Sequence, residues 1–162
     1  MAKAMPAAPM AAVVTADTKP MKIIVSACLL GRNCKYNGGN NYNPKVVELL
    51  KDHVAVEVCP ELTAGLGVPR TPIEIVNGEV KDRNGNSVDE ALRRSVDMIL
   101  TQVRREGIRY AILKSRSPTC GVRQVYDGTF TGKLIDGAGI LAQALKNAGC
   151  EVFDSEYLPE TL

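Results

Sequence analysis

Two hydrophobic periods alternate along this chain. Lys22–Ser26 (KIIVS) is a short β-branched run and reads as a strand. The Gly- and Asn-rich stretch CLLGRNCKYNGGNNYN follows as a loop, and Asn43-Pro44 then gives a cap and a first-turn proline. Val46, Val47, Leu49 and Leu50 supply one apolar face of the helix it opens. Val54–Val58 (VAVEV) reads as a second strand, stopped by Cys59-Pro60-Glu61 because proline cannot continue a central strand. After the Gly/Pro loop TAGLGVPRTP, residues 73–76 and 79–81 flank Asn77-Gly78, the signature of a primed-turn hairpin. Ser87 with Glu90 forms a capping box, predicting a helix with apolar positions Val88, Ala91, Leu92, Val96, Ile99 and Val103 that ends at Gly107. Arg109–Leu113 reads as the third strand, about 139–148 as a helix, and Glu151–Phe153 as the last strand. This alternation predicts an α/β fold with a mainly parallel sheet, flanking helices and a small hairpin insertion. Ligands of such a sheet bind beyond the carboxyl ends of its strands.

Composition narrows the function. The chain has 162 residues, 45% apolar and 23% charged, the balance of a globular protein. Residues 1–20 are rich in Ala and Pro without a secretory-type apolar run; they read as a disordered N-terminal extension, and residues 21–162 as a single domain. No run of eighteen apolar residues occurs, so no membrane-spanning helix is expected. A net charge of +2, with five Tyr, two Phe and no Trp, argues against a nucleic-acid partner. The lone histidine, His53, excludes two-histidine metal sites and is assigned no role in catalysis.

Five cysteines are the chemical signal. The count is odd, the spacing is wide and no CxxC pair occurs, which fits reduced cytoplasmic thiols rather than a disulfide framework. Cys28, Cys59 and Cys120 fall just after strands one, two and three, 31 and 61 residues apart, at one rim of the predicted sheet. Cys150 precedes the last strand and belongs to the opposite rim, whereas Cys34 lies in the same loop as Cys28. Three converging thiols suit a soft metal, and their wide spacing suits an iron–sulfur cluster better than zinc. With three ligands one iron keeps an open position and acts as a Lewis acid. Burial of each thiol as a small hydrophobe is the plain alternative. Glu61 and Ser117 sit two and three residues from Cys59 and Cys120, suited to proton transfer and hydrogen bonding, or else to ordinary capping and turn roles.

The motifs VSACLLGRNCKYNGG, VCPE, AGLGVPR, PIEI, KSRSPTCG, VYDGTFTG and GAGILAQAL together resemble the thiouracil desulfurase family, long catalogued as domain of unknown function 523. The resemblance spans about residues 22–153. It implies a small Rossmann-like α/β domain, a [4Fe-4S] cluster on Cys28, Cys59 and Cys120, and catalytic residues matching Glu61 and Ser117. SPTC replaces the commoner Ser-Pro-Ser-Cys, so that Thr119 keeps the hydroxyl but is stiffer at χ1.

The expected reaction is non-redox desulfuration of a thiolated pyrimidine. The thiocarbonyl sulfur binds at the open iron, water attacks the ring carbon with Glu61 moving the proton, and Ser117 hydrogen-bonds or protonates the substrate. Arg70 and Lys114 are candidate substrate contacts, with solvated or salt-bridged roles as the alternative. The Gly137–Gly139 turn could present amides to an anion, although a plain Gly-rich start to a helix is the simpler reading, and Tyr126-Asp127-Gly128 reads first as a turn. Two other classes remain open at this point: a non-catalytic iron–sulfur protein with Cys34 as fourth ligand, and a zinc-stabilised binding module.

Overall fold

A computed structural model describes residues 20–162. The extension expected at the N-terminus lies almost wholly outside the described residues. Strands β1 (Lys22–Ser26), β2 (Val54–Val58), β5 (Tyr110–Leu113) and β8 (Glu151–Asp154) form one parallel sheet in the order β2-β1-β5-β8. Between β1 and β2 lie a 3₁₀ turn (Ala27–Leu30) and helix α1 (Pro44–Leu50). A single-turn helix α2 (Pro60–Thr63), the hairpin β3 (Ile73–Val76) and β4 (Glu79–Asp82), and helix α3 (Asp89–Glu106) lead to β5. A second hairpin, β6 (Gln124–Tyr126) and β7 (Leu134–Asp136), then helix α4 (Ile140–Asn147), lead to β8.

The sheet is covered on both faces because its strands bury alternate residues in opposite directions. Ile24, Ala111 and Leu113 pack beneath α3 and α4, against Val96, Ile99, Val103, Leu141 and Leu145. Ile23, Val25 and Ile112 pack on the other face against Val46 and Leu50 of α1. The chain leaves β1 for β2 on one side and later adds β5 on the other. The strand order therefore reverses between β1 and β5, which opens a crevice at their carboxyl ends.

The local signals hold, apart from the single turns Ala27–Leu30 and Pro60–Thr63, which the sequence does not signal, and two larger differences. The Asn43 side chain accepts the Lys45 and Val46 amides, and Asn77 and Gly78 both take positive φ (51° and 81°), as a primed turn demands. The capping box at Ser87 does not form. Ser87 pairs as an isolated bridge with Lys81, and the helix begins at Asp89, whose carboxylate accepts the Val80 amide at 3.0 Å and Arg93 Nε at 2.8 Å. The Ser87 hydroxyl accepts the Asp89 amide at 3.4 Å instead of that of Glu90, while its backbone pairs with β4. The second difference is the β6–β7 hairpin, formed where the sequence suggests only a Gly-rich loop.

Glycine is obligatory at 139. A Cβ there would stand 2.5 Å from the carbonyl carbon and oxygen of Thr119. The first amides of α4 are spent on that same loop: Ile140 on the Pro118 carbonyl, Leu141 and Ala142 on that of Thr119. The candidate anion site at Gly137–Gly139 is thereby filled by the protein's own backbone. Gly139→Ala is expected to destabilise the fold by about 2 kcal/mol or more, in the range of overpacked cores; the midpoint of denaturant unfolding measures it.

Candidate active site

Cys28, Cys59 and Cys120 line one cavity of about 410 Å³ at the carboxyl rim of the sheet, together with Glu61, Ser117 and Cys34. Register explains the convergence. Ser26 is aligned with Val58, so the chain segments leaving β1 and β2 start level. Ser26 also ties down the third segment: its Oγ accepts the Lys114 amide at 2.9 Å. Ser26 is not signalled in the sequence, because a serine at a strand end carries no pattern of its own.

Each thiol is held by its neighbours. The Cys28 sulfur accepts Asn41 Nδ2 at 3.4 Å, and its carbonyl accepts the Asn41 amide at 3.0 Å. The Cys59 sulfur lies 3.7 Å from Glu61 Oε1. Burial raises the Cys28 thiol pKa, and the Asn41 contact partly offsets it. Burial first, and the Glu61 carboxylate second, push the Cys59 thiol up to about 12. The same two causes push the Cys120 thiol higher still. Among the described residues no three His, Cys, Asp or Glu side chains are grouped tightly enough to hold a single metal ion.

Glu61, only 8% exposed, is carried by α2, which the Cys59-Pro60 turn starts at once after β2. Its Oε2 accepts the Thr119 hydroxyl at 2.7 Å. The Ser117 Oγ accepts the amides of Thr119 and Cys120, both at 3.1 Å, and lies 2.9 Å from Thr119 Oγ1. Carboxylate and hydroxyl are thus parts of one hydrogen-bonded unit.

Arg70 lines the cavity, and its guanidinium donates to the carbonyls of Gly67 and Cys34, both at 2.9 Å, which pins the AGLGVPR loop to the cysteine loop. Lys114 also lines it, half-buried, with its ammonium on the carbonyl and hydroxyl of Ser115 at 3.1 Å. Burial, then the nearby Arg116 charge, lowers the Lys114 pKa. Cys150 stands apart before β8, its thiol directed to the Ile108 carbonyl. His53 lies at the start of β2, where Nδ1 accepts the Met21 amide at 3.2 Å.

The family model described as 2-thiouracil desulfurase matches residues 23–157. The chain belongs to that family. A Bacillus subtilis (strain 168) relative, the protein YbbK, is 36% identical over 150 residues, spanning 86% of this chain and 99% of its own. The solved structure of a [4Fe-4S]-dependent thiouracil desulfidase, TudS, matches with a TM-score of 0.78 at 35% identity, covering 86% of this chain and 94% of that one.

One wall of this desulfurase-family cavity was not foreseen. Glu74 of β3, 8% exposed, accepts the amides of Gly128 and Phe130 at 3.0 and 3.1 Å, joining the two hairpins. Phe130 adopts a left-handed φ of 59° there, lines the cavity, and has the Arg83 guanidinium 6.0 Å from its ring centre. Tyr126, expected in a turn, ends β6 and lines the same wall. Glu74→Ala orphans two amides, at about 1–3 kcal/mol each if they stay buried. We expect KM for a thiolated pyrimidine to rise about tenfold, equivalent to about 1.4 kcal/mol of binding, with a smaller effect on kcat. Steady-state kinetics of the variant measures the split.

Proposed function

We propose that this chain removes sulfur from thiolated pyrimidines by hydrolysis, converting thiouracil to uracil and sulfide, with a [4Fe-4S] cluster on Cys28, Cys59 and Cys120. The observation that carries the reading is the meeting of three thiols, a buried carboxylate and a serine hydroxyl at one cavity. Family membership and the TudS relative support it. The donor set fits such a group. Soft thiolates suit iron–sulfur chemistry, and desolvated thiols that resist ionisation alone are deprotonated by coordination.

When bound, the cluster supplies an iron with an open position, a Lewis acid for the soft thiocarbonyl sulfur. The protein's own residues do the rest. Glu61, anchored through Oε2, takes the proton of the attacking water. The Ser117 hydrogen, held by Thr119 Oγ1 in the free site, turns to the substrate as charge builds. The Phe130 and Tyr126 wall gives the flat ring an apolar surface. Water contributes the oxygen, sulfur leaves as sulfide, and no net electrons move. The region 21–162 works as one domain, in a reducing compartment such as the cytoplasm. Among the described residues no helix is long and apolar enough to cross a membrane.

Anaerobically reconstituted protein should release one sulfide per uracil from 2-thiouracil or 4-thiouracil. Iron-loaded protein that releases none rejects the desulfurase reading. A second reading, a non-catalytic cluster protein with Cys34 as fourth ligand, has one observation in its favour: Cys34 lines the cavity, and its carbonyl contacts the Cys59 thiol at 4.0 Å. Cys34→Ala is expected to keep its iron; depletion measured by iron analysis would favour the second reading.

A further inference from the structure

We infer that Thr119 is a positioning residue of this site, whose hydroxyl fixes the Glu61 carboxylate in one orientation and binds it to Ser117. The inference rests on the roles proposed above for Glu61 and Ser117. Hydrogen-bond valence assigns every proton in the unit. A hydroxyl has one hydrogen and two lone pairs. Both lone pairs of Ser117 Oγ are taken by the amides of Thr119 and Cys120. Toward Thr119 Oγ1, at 2.9 Å, Ser117 is therefore the donor. Thr119 has one hydrogen in turn and two acceptors in range: Glu61 Oε2 at 2.7 Å and the Cys120 sulfur at 3.7 Å. The closer carboxylate takes it, since charged acceptors make the shorter and stronger bonds. The chain runs one way, from Ser117 through Thr119 to Glu61.

This arrangement commits Oε2 of Glu61 and leaves Oε1 beside the Cys59 sulfur. Thr119 is fully buried, so bulk water has no access to replace its hydroxyl. Its backbone is equally fixed, because its carbonyl accepts the amides of Leu141 and Ala142 from α4. The hydroxyl thus hangs on a rigid frame between the two groups, 58 residues from Glu61 in sequence and two from Ser117.

The test compares wild type with Thr119→Val, which keeps the shape without the hydroxyl, and Thr119→Ser, which restores it. Thr119→Ala is the second variant should valine impair folding. Each is cluster-reconstituted, assayed for iron and kinetics on thiouracil, and crystallised. The hydroxyl-less variant should keep its iron and KM, while kcat falls about 10- to 100-fold, the lower part of the range for acid–base groups. Its Glu61 should leave the wild-type orientation, and serine should restore both rate and orientation. If wild type does not desulfurate but Glu61 still moves and is restored by serine, the functional reading fails and the positioning role stands. An unchanged kcat, an unmoved Glu61, or loss of iron overturns the inference; iron loss would mean that the hydroxyl serves Cys120 instead.

Discussion

Anaerobically purified Cys59→Ala protein is expected to hold at least about tenfold less iron than wild type, as are Cys28→Ala and Cys120→Ala. Tenfold is the low end of what even an outer-shell partner contributes to metal affinity, and a direct ligand contributes more. The three thiols come from three chain segments, yet each is fixed independently: Cys28 by Asn41, Cys59 by the turn into α2, Cys120 by Ser117, whose Oγ accepts its amide. Losing one leaves the other two in place, so the variants should fold while binding poorly. Cys150→Ala is the matched control. Its thiol is buried at the other end of β8 and should leave iron content unchanged. Iron and acid-labile sulfide analysis, with the visible absorption of the cluster, reads the outcome. Equal iron in wild type and all three variants would remove the ligand assignment.

Glu61→Gln should separate cluster from chemistry. The substitution keeps the shape and a carbonyl that can accept the Thr119 hydroxyl, but it cannot take a proton from water. We expect iron content near wild type and kcat lower by about 10²- to 10⁴-fold, the usual contribution of a positioned acid–base group. The Cys59 and Cys120 thiols both feel the Glu61 charge, which opposes their ionisation, so its neutralisation should not weaken ligation. Sulfide release under substrate saturation measures the loss. Full activity in a cluster-loaded Glu61→Gln protein would make Glu61 structural.

The thiol convergence was legible because a parallel α/β sheet has only one rim for segments that follow its strands. Once KIIVS, VAVEV and the strand before Lys114 are recognised, Cys28, Cys59 and Cys120 have nowhere else to go. The helix start at Asp89 was not legible to the residue, because the backbone pairing of Ser87 with Lys81 and the bond of Asp89 to the Val80 amide depend on where β4 packs. The β6–β7 hairpin was hidden for another reason. Its strands are three residues each, too short for alternation to register. Glu74 and Thr119 are long-range partners: each satisfies groups more than fifty residues away, and no spacing rule reaches that far. Arg70, for which substrate contact and a structural role are both open from the sequence, fastens two backbone carbonyls while still lining the cavity.

The fastening of the Ser117–Cys120 loop by α4 has a consequence during synthesis. A nascent chain that has emerged only as far as residue 120 contains Cys28, Cys59 and Cys120, but the segment bearing Cys120 still lacks the amides of residues 140–142 that clamp it. The loop is clamped only once α4 has left the ribosome and docked, so a prosthetic group that needed all three sulfurs held in place would find them so only late in translation.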